Sequence, residues 1–322
     1  MTGFDPRWAS FPDYIVDITR EIWEGRAIGT LRGYYAPDII VRMAGGISVG
    51  NDAVIAGTMA TLAEFPDRAL LADDVLWSGT PETGMLSSHR ISCTATHAHD
   101  GVFGRATGRS IAFRAIADCH ARGGVIDDEW LARDQGAICH QLGVEPEAFA
   151  RATIDREGGA ERASRPFTPE VDRAGPYRGS GNDDRWGIHY AEILTAIMAA
   201  DFAVIARGYD RACWLAYPDG VDDRSFAPAE DFWIGLRAAF PSAEFRIDHR
   251  IGNADAMSGP RAAIRWSLRG KHEGWGRFGA PSGADVYIMG FSHADFGPRG
   301  LRRETVVFDT VSIWKQILLH RG

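Results

Sequence analysis

The chain repeats itself at an offset of 175 residues. Identical residues recur at this offset without a gap, among them Gly33 and Gly208, Phe65 and Phe240, His97 and His272, Glu129 and Glu304, and Asp134 and Asp309. A repeat this long is a duplicated globular fold, because solenoid units run from about 20 to 50 residues. The sequence therefore predicts two homologous domains, at 1–144 and 187–322, joined by a linker at 145–186.

Length and charge limit what such a pair of domains does. A chain of 322 residues is long enough to bury two cores. Its net charge of -8 argues against a nucleic-acid or anionic-membrane partner, since phosphate binding needs a basic surface. The four cysteines show no C-x-x-C spacing, which predicts reduced thiols and neither a zinc site nor disulfides. No long apolar segment is present, so we expect a cytoplasmic protein.

Each repeat is predicted to open with helices. An amphipathic helix spans Asp13–Glu24, and its counterpart spans Ile188–Arg207. A short second helix follows at Leu31–Tyr35, then a strand at Ile39–Met43, and a third helix at Ala53–Glu64 that stops before Phe65-Pro66.

Strand-like alternation then dominates the first repeat. Four strands are predicted, at Ala72–Trp77, Met85–Thr96, Ser110–Cys119 and Val125–Asp134. Three helices followed by an antiparallel meander predict an α+β fold in which a curved sheet packs on helices. Such a sheet, capped by a helix, encloses a cone-shaped pocket.

The stretch between the repeats, Glu145–Trp186, is rich in arginine, glycine and proline. We expect a short helix at Pro146–Thr153 and then an irregular, solvated path that is long enough for the two domains to pack face to face.

Asp134 is the leading candidate for chemistry. It lies at the end of a predicted strand, near Trp130 and Ile138, where apolar surroundings raise a carboxyl pKa toward the working range of proton transfer. The alternative is that Asp134 caps a helix or lies on the surface. Its recurrence as Asp309 favours the first interpretation.

Three motifs together resemble the SnoaL-like polyketide cyclase family of the NTF2-like superfamily. They are Ala63-Glu64-Phe65-Pro66-Asp67, Gly101-x-Phe103-Gly104-x-x-x-Gly108, and Glu129-Trp130-x-x-x-Asp134-x-x-x-x-x-x-Gln141-Leu142-Gly143. The resemblance covers Asp13–Gly143 well and Ile188–Leu319 more weakly. It implies two tandem cone-shaped domains, each with helices packed on a curved antiparallel sheet.

The resemblance also implies an activity, the cofactor-free intramolecular aldol closure of a polyketide methyl ester. The family's acid/base matches Asp134, and the histidine fourteen residues earlier matches His120. A strand that carries Asp118 and His120 can run beside the strand that carries Asp134, and residues two apart share a face. His120 would then hydrogen-bond the developing oxyanion, or it is simply a satisfied polar residue near a strand end.

Other residues are candidates for substrate contact. In the first repeat these are Asp118, Trp130, Arg90 and Tyr34. In the second repeat Asp295 takes the place of His120, His293 takes the place of Asp118, and Asp309 keeps the carboxylate, so that repeat is either a second, different pocket or a scaffold. His97-x-His99 lacks a third ligand, and no metal site is predicted.

Three alternatives to the cyclase stay open at this point. An epoxide hydrolase would need a second carboxylate and an arginine around Asp134 to hold a water. An isomerase would need a carboxylate that faces an oxyanion hole. A non-catalytic tandem protein would bind a small apolar molecule without turnover. Whichever function holds, we expect the two domains to pack on each other as a pseudo-dimer, and a homo-oligomer is also open.

Overall fold

The computed structural model describes residues 1–255 and 258–322. The first half contains the helices α1 (Phe11–Thr19), α2 (Leu31–Tyr34), α3 (Asn51–Glu64) and α4 (Gln135–Leu142). Its strands are β1 (Tyr35–Met43), β2 (Gly46–Val49), β3 (Ala69–Thr80), β4 (Gly84–Thr96), β5 (Ser110–Arg122) and β6 (Val125–Arg133). Helix α1 begins at a capping box made by Ser10 and Asp13, and a π-helical turn at Arg20–Glu24 extends it.

The second half repeats this order. Helix α5 (Pro146–Arg156) precedes it, and its own helices are α6 (Arg185–Met198), α7 (Ala203–Gly208), α8 (Ala227–Ala239) and α9 (Thr310–Arg321). Its strands are β7 (Tyr209–Tyr217), β8 (Val221–Arg224), β9 (Glu244–Asp255), β10 (Gly259–Lys271), β11 (Asp285–Gly297) and β12 (Gly300–Val307). The single helix predicted at Ile188–Arg207 is wrong. The chain breaks it at Ala200, whose φ of 66° lies in the left-handed region.

The two six-stranded sheets have the same strand order, β2-β1-β6-β5-β4-β3 and β8-β7-β12-β11-β10-β9. The fold is therefore the predicted pair of tandem NTF2-like α+β domains. One detail differs from the predicted antiparallel sheet, because β1 runs parallel to β6 and β7 runs parallel to β12. None of the helices in the described part of the chain combines the length and hydropathy needed to cross a membrane.

Each sheet has an inner face toward its own helices and an outer face toward the other half. On β6, Glu129, Leu131 and Arg133 belong to the inner face, and Trp130 and Ala132 belong to the outer face. Both faces are buried over much of their area. Two apolar clusters join the outer faces, one of Ile116, Ala132, Phe167, Met289, Phe291 and Val307 and one of Leu76, Leu86, Ile251 and Ala263.

The segment between the halves packs partly into this contact. Helix α5 packs against α9 through Phe149, Ala150 and Ile154. Further along, the Phe167 side chain is 4% exposed and belongs to one of the two apolar clusters. The expectation of a solvated path is therefore wrong at Phe167. The division into domains at 144 and 187 stays a prediction.

Candidate functional site

The inner face of the first sheet encloses a cavity of about 170 Å³, here called the cone cavity. Helices α1 and α3 and strands β1, β4, β5 and β6 supply most of its wall, which is mainly apolar. Its polar lining residues are Thr19, Tyr35, Ser48, Thr58, Arg68, His89, Glu129 and Arg133. An apolar cavity with a few polar groups is typical of a small-molecule site.

Glu129 is the carboxylate of the cone cavity. It lies on β6 between Val41 of β1 and Cys119 of β5, and it is 6% exposed. Burial raises the pKa of Glu129 to about 7, although the Tyr35 hydroxyl and the Arg133 charge favour the ionised form. Glu129 therefore exchanges a proton readily near neutral pH, which suits a group that acts first as a base and then as an acid.

Two buried nitrogen-bearing side chains also line the cone cavity. His89 is 2% exposed, and burial lowers its pKa to about 4, so its imidazole is neutral at pH 7. The Nε2 atom of His89 has no hydrogen-bond partner among the described residues. Arg68, which follows α3, is 4% exposed, and its Nε also lacks a partner there. Both side chains line the cone cavity, and an unpaired buried donor gains free energy when a ligand oxygen accepts its hydrogen bond.

A second chamber of about 310 Å³ adjoins the cone cavity, here called the mouth chamber. The two spaces share six lining residues, which are Met43, Gly57, Arg68, Phe113, Leu131 and Arg133. The mouth chamber also has Gln135 and, from the second half, Asp309 in its wall. Burial raises the pKa of Asp309 to about 7, and the nearby Asp134 carboxylate adds to the increase. Asp309 is thus the one predicted site residue that lines either chamber.

Asp134 is buried but lines neither chamber. It caps α4 by accepting a hydrogen bond from the backbone N–H of Ala137 at 3.0 Å. It also accepts from the backbone N–H groups of Asp219 at 2.9 Å and Gly220 at 3.0 Å, both in the second half. Burial raises the pKa of Asp134 to about 6, and the Asp219 carboxylate contributes. The observed contacts are those of a helix cap that also joins the two halves.

The residue types expected around Asp134 in a hydrolase are present. Asp219 supplies a second carboxylate, and Arg277 donates to it at 2.8 Å. However, neither chamber reaches these side chains, and backbone donors occupy both oxygens of Asp134.

His120 does not lie near Asp134, so the predicted pairing is wrong. In the register of β5 and β6, His120 is opposite Asp128, and the backbone of Asp134 bonds to Arg114. Six residues of strand separate Asp128 from Asp134, which is about 20 Å. His120 instead contacts Asp127, with 2.5 Å between Nδ1 and Oδ1, and packs against the ring of Tyr177.

Most of the predicted substrate-binding residues lie on the outer faces of the sheets, where they join the two halves. Asp118 accepts from Arg265 at 2.8 Å, and His293 is 2.9 Å from Ser88.

The remaining four candidates also lie away from the cone cavity. Arg90 is 3.9 Å from Asp295, and the ring of Trp130 lies between two arginine side chains. Tyr34 donates to Glu21 near the surface, whereas the adjacent Tyr35 lines the cone cavity.

Five polar residues that line the cone cavity were not among the site residues predicted from the sequence: Tyr35, Arg68, His89, Glu129 and Arg133. One signal for Glu129 was present, because Glu129 and Glu304 are identical in the repeat. Strand alternation also places Glu129, Leu131 and Arg133 on one face and Trp130 on the other.

The second half has the same glutamate but a filled cone. Glu304 is 0% exposed. It accepts hydrogen bonds from Tyr190, Tyr209, Tyr217 and Trp233. Aromatic rings occupy the space around it, including Trp266 and Phe308.

The chain resembles known proteins over about two fifths of its length. Residues 14–142 match the family model of the SnoaL-like polyketide cyclases. IdmH from Streptomyces antibioticus has 24% identity and a TM-score of 0.37, and the match covers 98% of its chain and 41% of this one. TsrD from Streptomyces laurentii has 18% identity and a TM-score of 0.36, with 96% of its chain and 42% of this one covered.

A SnoaL-like polyketide cyclase from Agrobacterium tumefaciens has 17% identity and a TM-score of 0.36, with 100% of its chain and 42% of this one covered. The search of curated proteins gave no match. Each of the three structural matches covers about two fifths of this chain.

Proposed function

Because residues 14–142 match the family model of the SnoaL-like polyketide cyclases, we propose that this protein is a cofactor-free acid/base enzyme acting on a small, largely apolar carbonyl compound. The chemistry takes place in the cone cavity of the first half. The observation that carries the proposal is Glu129, a buried carboxyl group with a pKa of about 7, in an apolar space that also holds unpaired donors.

The proposed step is a proton transfer at carbon. The Glu129 carboxylate removes a proton from the carbon next to a carbonyl group, and the electron pair moves onto the carbonyl oxygen. An Nε2–H of neutral His89, or the Arg68 guanidinium, stabilises the resulting enolate oxygen. Burial strengthens these interactions, because water does not screen them.

In an aldol closure the enolate carbon then attacks a second carbonyl group of the same molecule. A carbon–carbon bond forms, the second carbonyl oxygen becomes an alkoxide, and protonated Glu129 returns its proton to that oxygen. Atoms and charge balance without a cofactor. This closure of a polyketide-like compound is the reaction that the family resemblance favours, and isomerisation uses the same first step.

The number of carboxylates favours proton transfer at carbon over epoxide hydrolysis. Among the described residues, Glu129 is the single carboxylate that lines the cone cavity. A hydrolase of the expected kind needs two carboxylates and an arginine around one water. The non-catalytic binder is the remaining alternative, and it is separated from the enzyme by experiment.

The test compares three variants, Glu129→Gln, Glu304→Gln and Asp134→Asn. Because the natural substrate is unidentified, the probe is a set of aromatic ketones whose α-protons exchange slowly, and exchange into deuterated water is followed by NMR. Removal of the general base should lower the catalysed rate by roughly 10² to 10⁴ in Glu129→Gln. Glu304→Gln, which changes the matching residue of the filled cone, should keep the wild-type rate.

Asp134→Asn tests the role that the family resemblance implies. We expect it to lower stability and to keep the exchange rate, because Asp134 bonds backbone donors and lines neither chamber. A loss of exchange without a loss of stability would return the catalytic role to Asp134. Ketone binding without exchange in the wild type would support a binding protein instead. The exchange rate should also rise with pH through about 7, since the base must be ionised.

A further inference from the structure

We infer that the substrate carries a carboxylate group and that Arg68 binds this group where the cone cavity meets the mouth chamber. The inference rests on the proposed function, since it specifies the substrate of the same site. It differs from the methyl ester that the family resemblance implies, because it assigns the substrate a free negative charge.

Arg68 is placed for this role by the short connection between α3 and β3. Its backbone N–H donates to the carbonyl of Phe65 at 3.2 Å, and Ala69 begins β3 directly after it. The side chain lines both chambers and is 4% exposed. A ligand that extends from the cone cavity to the mouth chamber passes this guanidinium.

Within residues 1–255 and 258–322, Arg68 takes part in no ion pair, and its Nε has no hydrogen-bond partner. Other buried arginines have carboxylate partners. Arg42, which is 2% exposed, bonds Asp128 at 2.5 Å, and Arg265, which is 6% exposed, bonds Asp118 at 2.8 Å. A buried charge without a partner is costly, so an anionic ligand would supply what the chain itself does not.

The positive charges near Arg68 make an anionic ligand beside it more favourable. Burial, together with the charges of Arg133 and Arg26, lowers the pKa of Arg68 to about 10. The side chain nevertheless stays protonated at neutral pH. Arg133 is exposed and also lines both chambers, so two positive charges border the passage between them.

The two carboxylates of the mouth chamber are already bonded elsewhere. Glu64 accepts from the backbone N–H groups of Val102 and Phe103 and contacts His97 at 3.1 Å. Asp309 accepts from two backbone N–H groups of α9 and from Gln135.

The filled cone of the second half lacks both arginines. At the repeat offset, Ala243 stands at the position of Arg68, and Phe308 stands at the position of Arg133. The unpaired positive charge therefore occurs together with the open cavity. A planar guanidinium matches a carboxylate by two parallel hydrogen bonds, which favours a carboxylate over a single oxygen acceptor.

The test measures binding without turnover. The probes are 3-benzoylpropanoate, a small aromatic keto acid, and its methyl ester, and calorimetry gives their affinities for the wild type, Arg68→Gln and Arg68→Lys. The control is Arg109→Gln, which removes an equal charge from an exposed arginine that lines neither chamber. We expect the wild type and the control to prefer the acid at least tenfold.

Arg68→Gln should lose this preference while keeping its affinity for the ester, and Arg68→Lys should keep part of the preference. Without ligand, Arg68→Gln should be at least as stable as the wild type, whereas a purely structural arginine would leave the variant less stable. Equal wild-type affinities for acid and ester, a preference that survives in Arg68→Gln, or failure of the wild type to bind the acid would each overturn the inference.

Ligand binding and α-proton exchange are measured independently, so a variant can lose one and keep the other. The two measurements therefore distinguish this inference from the proposed function. Glu129→Gln should still prefer the acid, although it loses proton exchange. A wild type that prefers the acid but exchanges no α-protons would contradict the enzyme and leave the carboxylate site in place. Fast exchange without any preference would contradict the carboxylate site alone.

Discussion

The two halves of this chain place a glutamate at the same position of the same strand and give it different surroundings. In the first half, Glu129 borders an open cavity. In the second half, Glu304 accepts hydrogen bonds from four aromatic side chains in a filled core. The following pairs, related by the repeat offset, separate the two: Gly57 and Phe232, Thr58 and Trp233, Ile91 and Trp266, Arg133 and Phe308.

The comparison indicates that the neighbours of a buried carboxylate determine whether a ligand can reach it. Burial raises the pKa of both glutamates. Phenol and indole donors satisfy Glu304, which makes it part of a packed polar network. Glu129 has open space beside it, so a ligand can reach its proton. The same fold therefore encloses a cavity in one half and a packed core in the other.

The mouth chamber lies where the pseudo-symmetry of the two halves is broken. Asp134 accepts two hydrogen bonds from the turn between β7 and β8. Asp309 lines the mouth chamber together with Ala44 and Gly45 of the matching turn, and among the described residues it accepts no hydrogen bond from them. The second half therefore contributes Asp309 to the site of the first.

The largest expected effect comes from filling the cone cavity of the first half with the tryptophan ring that the second half has at the matching position. Trp266 fits because the residue opposite it is Gly290, where a Cβ atom would lie 2.2 Å from the ring. The matching pair in the first half is Ile91 and Ala115. The double variant Ile91→Trp/Ala115→Gly should therefore lose ligand affinity at least a hundredfold, measured by calorimetry. Ala115→Gly alone is the control, and an unchanged affinity in the double variant would show that ligands bind elsewhere.

Removing a tryptophan ring from the core of the second half should lower the free energy of unfolding and leave ligand binding and proton exchange unchanged. Trp266→Ala removes a fully buried ring and should destabilise the protein by about 3–5 kcal/mol in denaturant unfolding. Ile91→Ala, at the matching position, should cost less than about 2 kcal/mol because Ile91 already borders a cavity. Equal costs at the two positions would contradict the contrast between a filled and an open cone.

A smaller effect than that of Trp266→Ala is a pH-dependent gain in stability in Glu129→Gln. Folding raises the pKa of Glu129 from 4.5 to about 7, so the folded state binds its proton more tightly than the unfolded state does. The wild type therefore loses stability as the pH rises through about 7. Glu129→Gln should be more stable than the wild type at pH 8, by up to about 3 kcal/mol, and the gain should vanish below about pH 5.

Glu304→Gln serves as the comparison for this prediction. Four side chains donate to Glu304, and in Glu304→Gln they lose one of its two acceptor oxygens. We therefore expect the free energy of unfolding to fall by about 1–3 kcal/mol at pH 7, and not to rise. A gain in Glu304→Gln as large as that in Glu129→Gln would mean that the two carboxyl groups are equivalent. Both free energies of unfolding come from denaturant titrations at several pH values.

The repeated aspartates illustrate what a repeat can and cannot indicate. Asp134 and Asp309 recur, and both are buried with raised pKa values. Each is also the N-cap of the helix that follows its sheet. For Asp134, helix capping was the alternative interpretation that its sequence position left open. Recurrence therefore identifies a residue that the fold needs, and it does not by itself identify chemistry.

The sequence alone determined the duplication, the order of helices and strands and the α+β architecture, because those follow from local periodicity and from identity at a fixed offset. It did not determine which face of the sheet encloses the cavity. Alternation identifies an inner face when the other face is polar and solvated. Here both faces are buried, and each carries charged side chains, such as Glu129 on one and Asp118 on the other. Only the packing of the two halves against each other decided that Asp118 pairs with Arg265 of the other half while Glu129, His89 and Arg68 line the cavity.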